Sequence, residues 1–218
     1  MPGETNLRSI AALINKEEPA WPMIQEWIDA AKNHVEVLAC TPEKGNEELY
    51  KVQVTTRSPM GAIVHGTGGI LIDHGWIRIL GAGAPRLNRS LHEWNTHMGV
   101  ITDAPTPPYL IVADDVVGGY FAVNGGGLGT APGKVFYFAP DTKEFESLDI
   151  SYSEFLGFCF DGNLDKFYSG LRWDNWEEEV SKLDGNLVYS FYPFLGTAEA
   201  QDINSVSRKA VSIHELIK

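Results

Sequence analysis

The sequence predicts an α+β fold, in which an antiparallel meander of strands lies between helices at the N-terminus and helices after the sheet. Three observations carry this. Helical spacing of apolar residues, with helix-start signals, runs through residues 1–66. Short apolar strands fill residues 67–150, joined by turns far too brief for the crossovers that parallel strands need. Helix-capping signals then return in residues 151–218, an order that suits an α+β chain and not a doubly wound parallel sheet. The three parts read as one domain, because 218 residues with 44% hydrophobic content suit a single buried core.

The elements follow in order. Asn6 stands where it would cap a short helix running through Ile14. AWPMIQEWIDAAKNH, residues 20–34, places Trp21, Ile24, Trp27 and Ile28 on one helical face, and Pro22 is tolerated in the first turn. VEVLA, residues 35–39, reads either as a strand or as the continuation of that helix. NEELYKVQV predicts a helix capped by Asn46. SPMGAIVHGTG predicts another, with Ser58 at the cap, Pro59 at the first helical position and Gly66 or Gly68 at the end.

GILID and WIRILG are two apolar runs around His74-Gly75, the pattern of a hairpin. GAGAPRLNRSLHEWNTH reads as a loop with one helical turn at SLHEW. YLIVADD, YFAVN, KVFYFA and FESLDI are four further strands separated by short turns. SYSEFLGFCF then opens a helix capped by Ser151 or Ser153, with Glu154 near the position that completes a capping box. LDKFYSGL and NWEEEVSKL continue the helical reading, and SRKAVSIHELI returns as a strand followed by a short turn of helix.

Several motifs are tested by their chemistry. GGGLGTAPGKVFYF ends in Gly133-Lys134, yet Leu128 stands where a phosphate loop needs glycine and Val135 where it needs a hydroxyl. The segment after it is a strand, so no helix N-terminus faces the loop, and a hairpin turn accounts for the glycines. HEWNTH sets His92 and His97 five apart, which rotates the second away from the face that a zinc-protease helix would use. No serine sits in a nucleophile elbow. Cys159, between two phenylalanines, lacks a neighbouring cation, and both it and Cys40 read as buried reduced thiols. Neither a catalytic residue nor a metal or cofactor site is expected. The paired acids Asp114-Asp115 read as turn caps or, if the strand ends there, as a joint surface.

The net charge is −12, which argues against direct nucleic-acid binding, since phosphates need clustered lysine and arginine. No apolar run is long enough to span a membrane, and no basic-then-apolar leader opens the chain, so a cytoplasmic location is expected. Between Asp141 and Asp184 stand twelve acids against four bases, a surplus of eight in one fifth of the chain. Tyr152, Phe155, Phe160, Phe167, Tyr168, Trp173 and Trp176 are interleaved with them. Acids beside aromatics are what a surface for a basic protein would use, with aromatic anchors for affinity and charge for steering. Alternatively, the aromatics face the core and the acids face water. The expected partner-binding residues are Asp114, Asp115, Glu154, Asp161, Asp165, Asp174, Glu177 and Glu178. The competing expectation, a small-molecule-binding protein or enzyme with a pocket near residues 73–95, would draw on His74, Trp76, Arg78, Arg86, Arg89, His92 and Trp94, which otherwise pin a long loop to the sheet with arginines stacked on tryptophans.

GGILIDHGWIRILGAGAPRLNRSLHEWN, residues 68–95, resembles the signature of an uncharacterised bacterial family, a domain of unknown function. The shared elements are Gly68 to Leu71, Asp73 to Trp76, Arg78 and Trp94-Asn95. LIVADDVVGGYFAVN and GKVFYFAPDTKEFESLDISYSEFL resemble the sheet of the SUKH superfamily of immunity-type proteins, over roughly residues 60–160. That resemblance implies an α+β fold without a catalytic site, acting by binding a toxin, often a nuclease. A nuclease's basic active site would complement the acidic surplus. The leading expectation is therefore a non-catalytic cytoplasmic binding protein with a basic partner.

Overall fold

Seven strands lie side by side in chain order, each antiparallel to its neighbours: Val35–Leu38 (β1), Gly69–Ile72 (β2), Ile77–Leu80 (β3), Tyr109–Asp115 (β4), Tyr120–Asn124 (β5), Lys134–Phe138 (β6) and Phe145–Ser151 (β7). The computed structural model that shows this describes residues 7–104 and 106–216. The helices are Ile10–Leu13 (α1), Trp21–Asp29 (α2), Pro42–Val52 (α3), Pro59–Gly66 (α4), Leu91–His97 (α5), Tyr152–Asp161 (α6), Leu164–Phe167 (α7), Trp176–Ser181 (α8) and Ile213–Leu216 (α9). Two further strands, Leu187–Tyr192 (β8) and Ser207–Ser212 (β9), form a separate antiparallel pair.

Most boundaries follow local chemistry. Ser58 caps α4, its hydroxyl accepting from the Gly61 N–H at 3.1 Å, with Pro59 at the first helical position. Ser151, not Ser153, caps α6 in a full capping box: Glu154 N–H donates to Ser151 Oγ at 3.3 Å and Ser151 N–H to Glu154 Oε2 at 2.6 Å. VEVLA is a strand, and it joins the sheet edge beside β2. The glycine loop between β5 and β6 is a turn. Its first four N–H groups are spent on protein oxygens: Gly126 and Leu128 donate to Asn124 Oδ1, Gly125 and Gly127 to the Pro108 carbonyl.

Four expectations are corrected or bounded. The Asn6 cap lies outside the described residues, and α1 begins at Ile10 behind Ser9. Asn46 sits inside α3, which starts earlier because Thr41 accepts from the Lys44 N–H at 3.3 Å and Pro42 occupies the first helical position. α5 is seven residues long and not one turn, because Ser90 and Glu93 form a second capping box. Residues 151–218 hold, besides their helices and the expected strand at SRKAVS, a further strand, β8, that pairs with it. NLVYSFY lacks a clean polar alternation, and its partner strand lies about twenty residues downstream, beyond the reach of a local pattern.

One connected core cluster runs from Ala20 to Ile213. Strands β2 and β3 are buried at every position, as befits a sheet covered on both faces. Helices α2, α4 and α6 contact one another, and α6 lies on β6 and β7, where Phe121 of β5 meets Phe155 at 4.8 Å between ring centres. Cys159 is buried and Cys40 half-buried, both as free thiols. Among the described residues, no helix is long and apolar enough to cross a membrane.

Candidate functional site

The β3–β4 register sets Arg78 directly opposite Asp114, and this pairing organises the interior. Arg78 donates through Nε to Asp114 Oδ1 at 2.6 Å, through Nη2 to the Asp115 carbonyl at 2.7 Å and through Nη1 to the Leu187 carbonyl at 2.5 Å. Arg89 donates to Asp114 Oδ2 at 2.5 Å and to the Gly185 carbonyl at 2.8 Å, and it stacks over Trp94 at 4.6 Å. Burial pulls the Arg78 guanidinium below its ordinary value, and Asp114 opposes the shift. Two cations thus flank one carboxylate, and they tie the loop before α5 and the segment before β8 to the sheet.

The neighbouring carboxylate turns the other way, as alternation along a strand requires. Asp115 Oδ1 accepts from the Val117 and Gly119 N–H groups at 3.1 and 2.8 Å and so caps the β4–β5 turn. Its Oδ2 accepts from the Tyr137 and Tyr168 hydroxyls at 2.7 and 3.1 Å. Burial pushes the carboxyl up, while these donors and Arg78 pull it down. Gly119 is needed here, because a Cβ would stand 2.2 Å from the Tyr137 hydroxyl.

Asp114 and Asp115 are therefore 0% exposed and do not present themselves to a partner, which corrects their place in the expected binding surface. Glu154, Asp161, Asp165, Asp174, Glu177 and Glu178 are exposed. Several are engaged locally: Glu154 in its capping box, Asp165 with Arg172, Glu178 with Lys182 at 2.6 Å. The aromatics interleaved with them are not their surface companions. Phe155, Phe160, Tyr168 and Trp173 are buried, and Tyr152, Phe167 and Trp176 pack against the core.

The expected pocket around residues 73–95 is also corrected. Trp76, Arg78, Arg89 and Trp94 are buried and packed, and Arg86 spends its donors on Glu36 and the Ser181 carbonyl. His74 stacks on His34 at 4.6 Å, His65 bonds Asn46 at 3.1 Å, and His97 meets His214 at 3.0 Å. Among the described residues, no three His, Cys, Asp or Glu side chains gather as a metal site. Asn95 serves the architecture. Its side-chain amide donates to the Ile111 carbonyl and accepts from the Ile111 N–H, at 2.8 Å each, where a bulge interrupts β4.

An open cleft of about 610 Å³ lies elsewhere, between the β4–β5 turn, the β6–β7 turn and β8 with the residues after it. Tyr120 and Phe138 stack in it at 4.6 Å, and Phe191, Phe194 and Leu195 line it from the C-terminal part. Asp141, Lys143 and Thr197 supply its polar rim. Burial pushes the Tyr120 hydroxyl up to about 12, so that ring stays neutral. Phe194 is 68% exposed, and Tyr192, two residues before it, is 74% exposed. No sequence signal marks these residues, since FYPFLG reads like any apolar strand end.

A family model described as "Protein of unknown function DUF2625" matches residues 10–216. A "Putative uncharacterized protein YbfG" of Escherichia coli is 45% identical over 210 residues, covering 96% of this chain and 94% of that protein. An "Uncharacterized protein" of Haemophilus influenzae is 41% identical over 207 residues, covering 95% and 91%.

Proposed function

This chain belongs to the DUF2625 family, and we propose that it is a non-catalytic protein-binding module whose aromatic cleft anchors a cationic partner. The carrying observation is the exposed pair Tyr192 and Phe194 beside the cleft, since exposed aromatics next to an apolar depression are typical binding anchors. The net charge of −12 favours a basic partner and steers its approach, with the exposed acids of residues 141–184 contributing to the field and not to the anchor. The resemblance of residues 60–160 to the SUKH sheet supports an immunity-like role in the cytoplasm, with a nuclease-type toxin as the partner class.

An amide NMR titration tests this, with a library of lysine-rich seven-residue peptides carrying Leu, Ile, Phe or Trp at alternate positions. Expected are shifts concentrated in residues 117–120, 138–143 and 189–197, weaker at high salt and lost in the Tyr192→Ser/Phe194→Ser double variant. Shifts confined to the acidic helices, or none at all, would overturn the reading. A second reading, a small apolar ligand in the same cleft, is favoured by the volume, which lies within the roughly 300–1,000 Å³ of small-molecule sites. Salt-independent binding of aromatic fragments would select it.

A further inference from the structure

We infer that His97 and His214 form a two-histidine chelate for a divalent transition ion of the copper or nickel class. His97 ends α5 and His214 lies in α9, 117 positions later in the chain. The fold sets His97 Nε2 3.0 Å from His214 Nδ1, and both residues are exposed, so an ion in solution can reach them. Neither lines the cleft, and the site is independent of what the cleft binds.

The two rings share a rigid support. Trp94 is buried, His97 stacks on it with ring centres 5.4 Å apart, and His214 meets it edge-on at 5.1 Å. Arg89 lies over Trp94, and Arg89 is itself anchored to Asp114. Packing of this kind holds donor nitrogens in place before a ligand arrives. The histidine ring centres are only 4.4 Å apart. Aligned head to head, the two ring radii would add to the nitrogen separation and push the centres further apart. The rings are therefore bent, as a shared ion requires and a straight hydrogen bond does not.

The spacing selects the ion. Two nitrogens 3.0 Å apart, each about 2.0–2.1 Å from a metal, subtend about 94° at it. That is close to the cis angle of the square-planar and tetragonal spheres that copper(II) and nickel(II) adopt with nitrogen and oxygen donors. It is tighter than the tetrahedral angle of structural zinc sites. With two protein ligands, water completes the sphere.

The surroundings tolerate a cation. Arg89 opposes one, but Asp114 already pairs with it. Glu93, one turn before His97, and Glu215, beside His214, are exposed acids, and His97 stands at the negative end of the α5 dipole. Burial, His97 and Arg89 hold the His214 imidazole below its ordinary value, so it is neutral and able to ligate near pH 7. The histidines meet only in the folded chain. The ion therefore favours the native state and fastens α9, which follows β9 directly, to α5.

The experiment titrates copper(II), nickel(II) and zinc(II) into the untagged full chain by calorimetry near neutral pH, and reads the copper-loaded protein by electron paramagnetic resonance. Expected are a single bound ion, affinity falling from copper to nickel to zinc, copper signals split by two imidazole nitrogens, and a raised melting temperature. His97→Ala and His214→Ala should each lose at least about tenfold in affinity, since even the outer partners of a metal ligand are worth about 10–100-fold. Each variant should melt at the same temperature with and without the ion. His34→Ala, which removes the parallel His34–His74 stack, should bind as wild type does. Unchanged affinity in the His97 and His214 variants, or a loss in His34→Ala instead, would overturn the chelate, and zinc binding more tightly than nickel would overturn the choice of ion. Should either variant fail to fold, amide broadening by copper(II) in the wild type decides. Broadening centred on residues 94–98 and 212–215 supports the site, and broadening elsewhere, or none, sinks it.

Discussion

Asp114 and Asp115 carry the same chemistry as Glu177 and Glu178, yet the first two are fully buried and the second two stand in water. In the interior each carboxylate oxygen has at least one donor: Arg78, Arg89, two turn N–H groups and two tyrosine hydroxyls share the work. On the surface Glu178 pairs with Lys182 one helical turn away, and both side chains remain more than two-thirds exposed. The difference teaches where to look for fold and where to look for field. The charges that hold the architecture are scattered in the sequence at 78, 89, 114 and 115. The crowded acids of 141–184 shape the long-range potential.

The largest expected effect is therefore at the buried set. Asp114→Ala removes the one carboxylate that both Arg78 and Arg89 bond, and about 3–5 kcal/mol should be lost in urea denaturation. A loss below about 1 kcal/mol would break the comparison. Next comes Tyr168→Phe, which removes one donor from Asp115 Oδ2 and leaves Tyr137 in place. The same measurement should show a loss of roughly 1–3 kcal/mol, and Tyr168→Phe combined with Tyr137→Phe should cost more than the sum of the singles, because the carboxylate oxygen is then orphaned. The smallest effect belongs to Glu178→Gln. Its denaturation midpoint should match wild type, because an exposed ion pair on one helix face contributes little. A clear destabilisation there would mean that the acidic segment is structural after all.

Much of the fold was legible because its signals are local. The hairpin about His74-Gly75, the four strands from Tyr109 to Ser151, and the Ser58 and Ser151 caps each need only a few adjacent residues to specify them. Asn46 and β8 escape a local reading for the complementary reason. Thr41-Pro42 outcompetes Asn46 as a helix start, and β8 depends on a partner strand that no local window contains. The reading of Arg78, Arg89, Trp76 and Trp94 as residues that pin a loop matches their burial. Their assembly around Asp114 depends on the β3–β4 register.

Sequence alone carried the fold class, the order of the meander, the helix caps, the net charge and the hairpin nature of the glycine loop, because propensity, turn chemistry and composition are properties of neighbours. Tertiary structure decided which acids are inside, which aromatics are outside, and where the cleft lies. The cleft's lining is drawn from residues near 98, 117–120, 138–143 and 189–197, which meet only when the sheet and the β8–β9 pair pack together. Burial is a property of that assembly, so the same Asp or Phe is core or surface according to what the rest of the chain places over it.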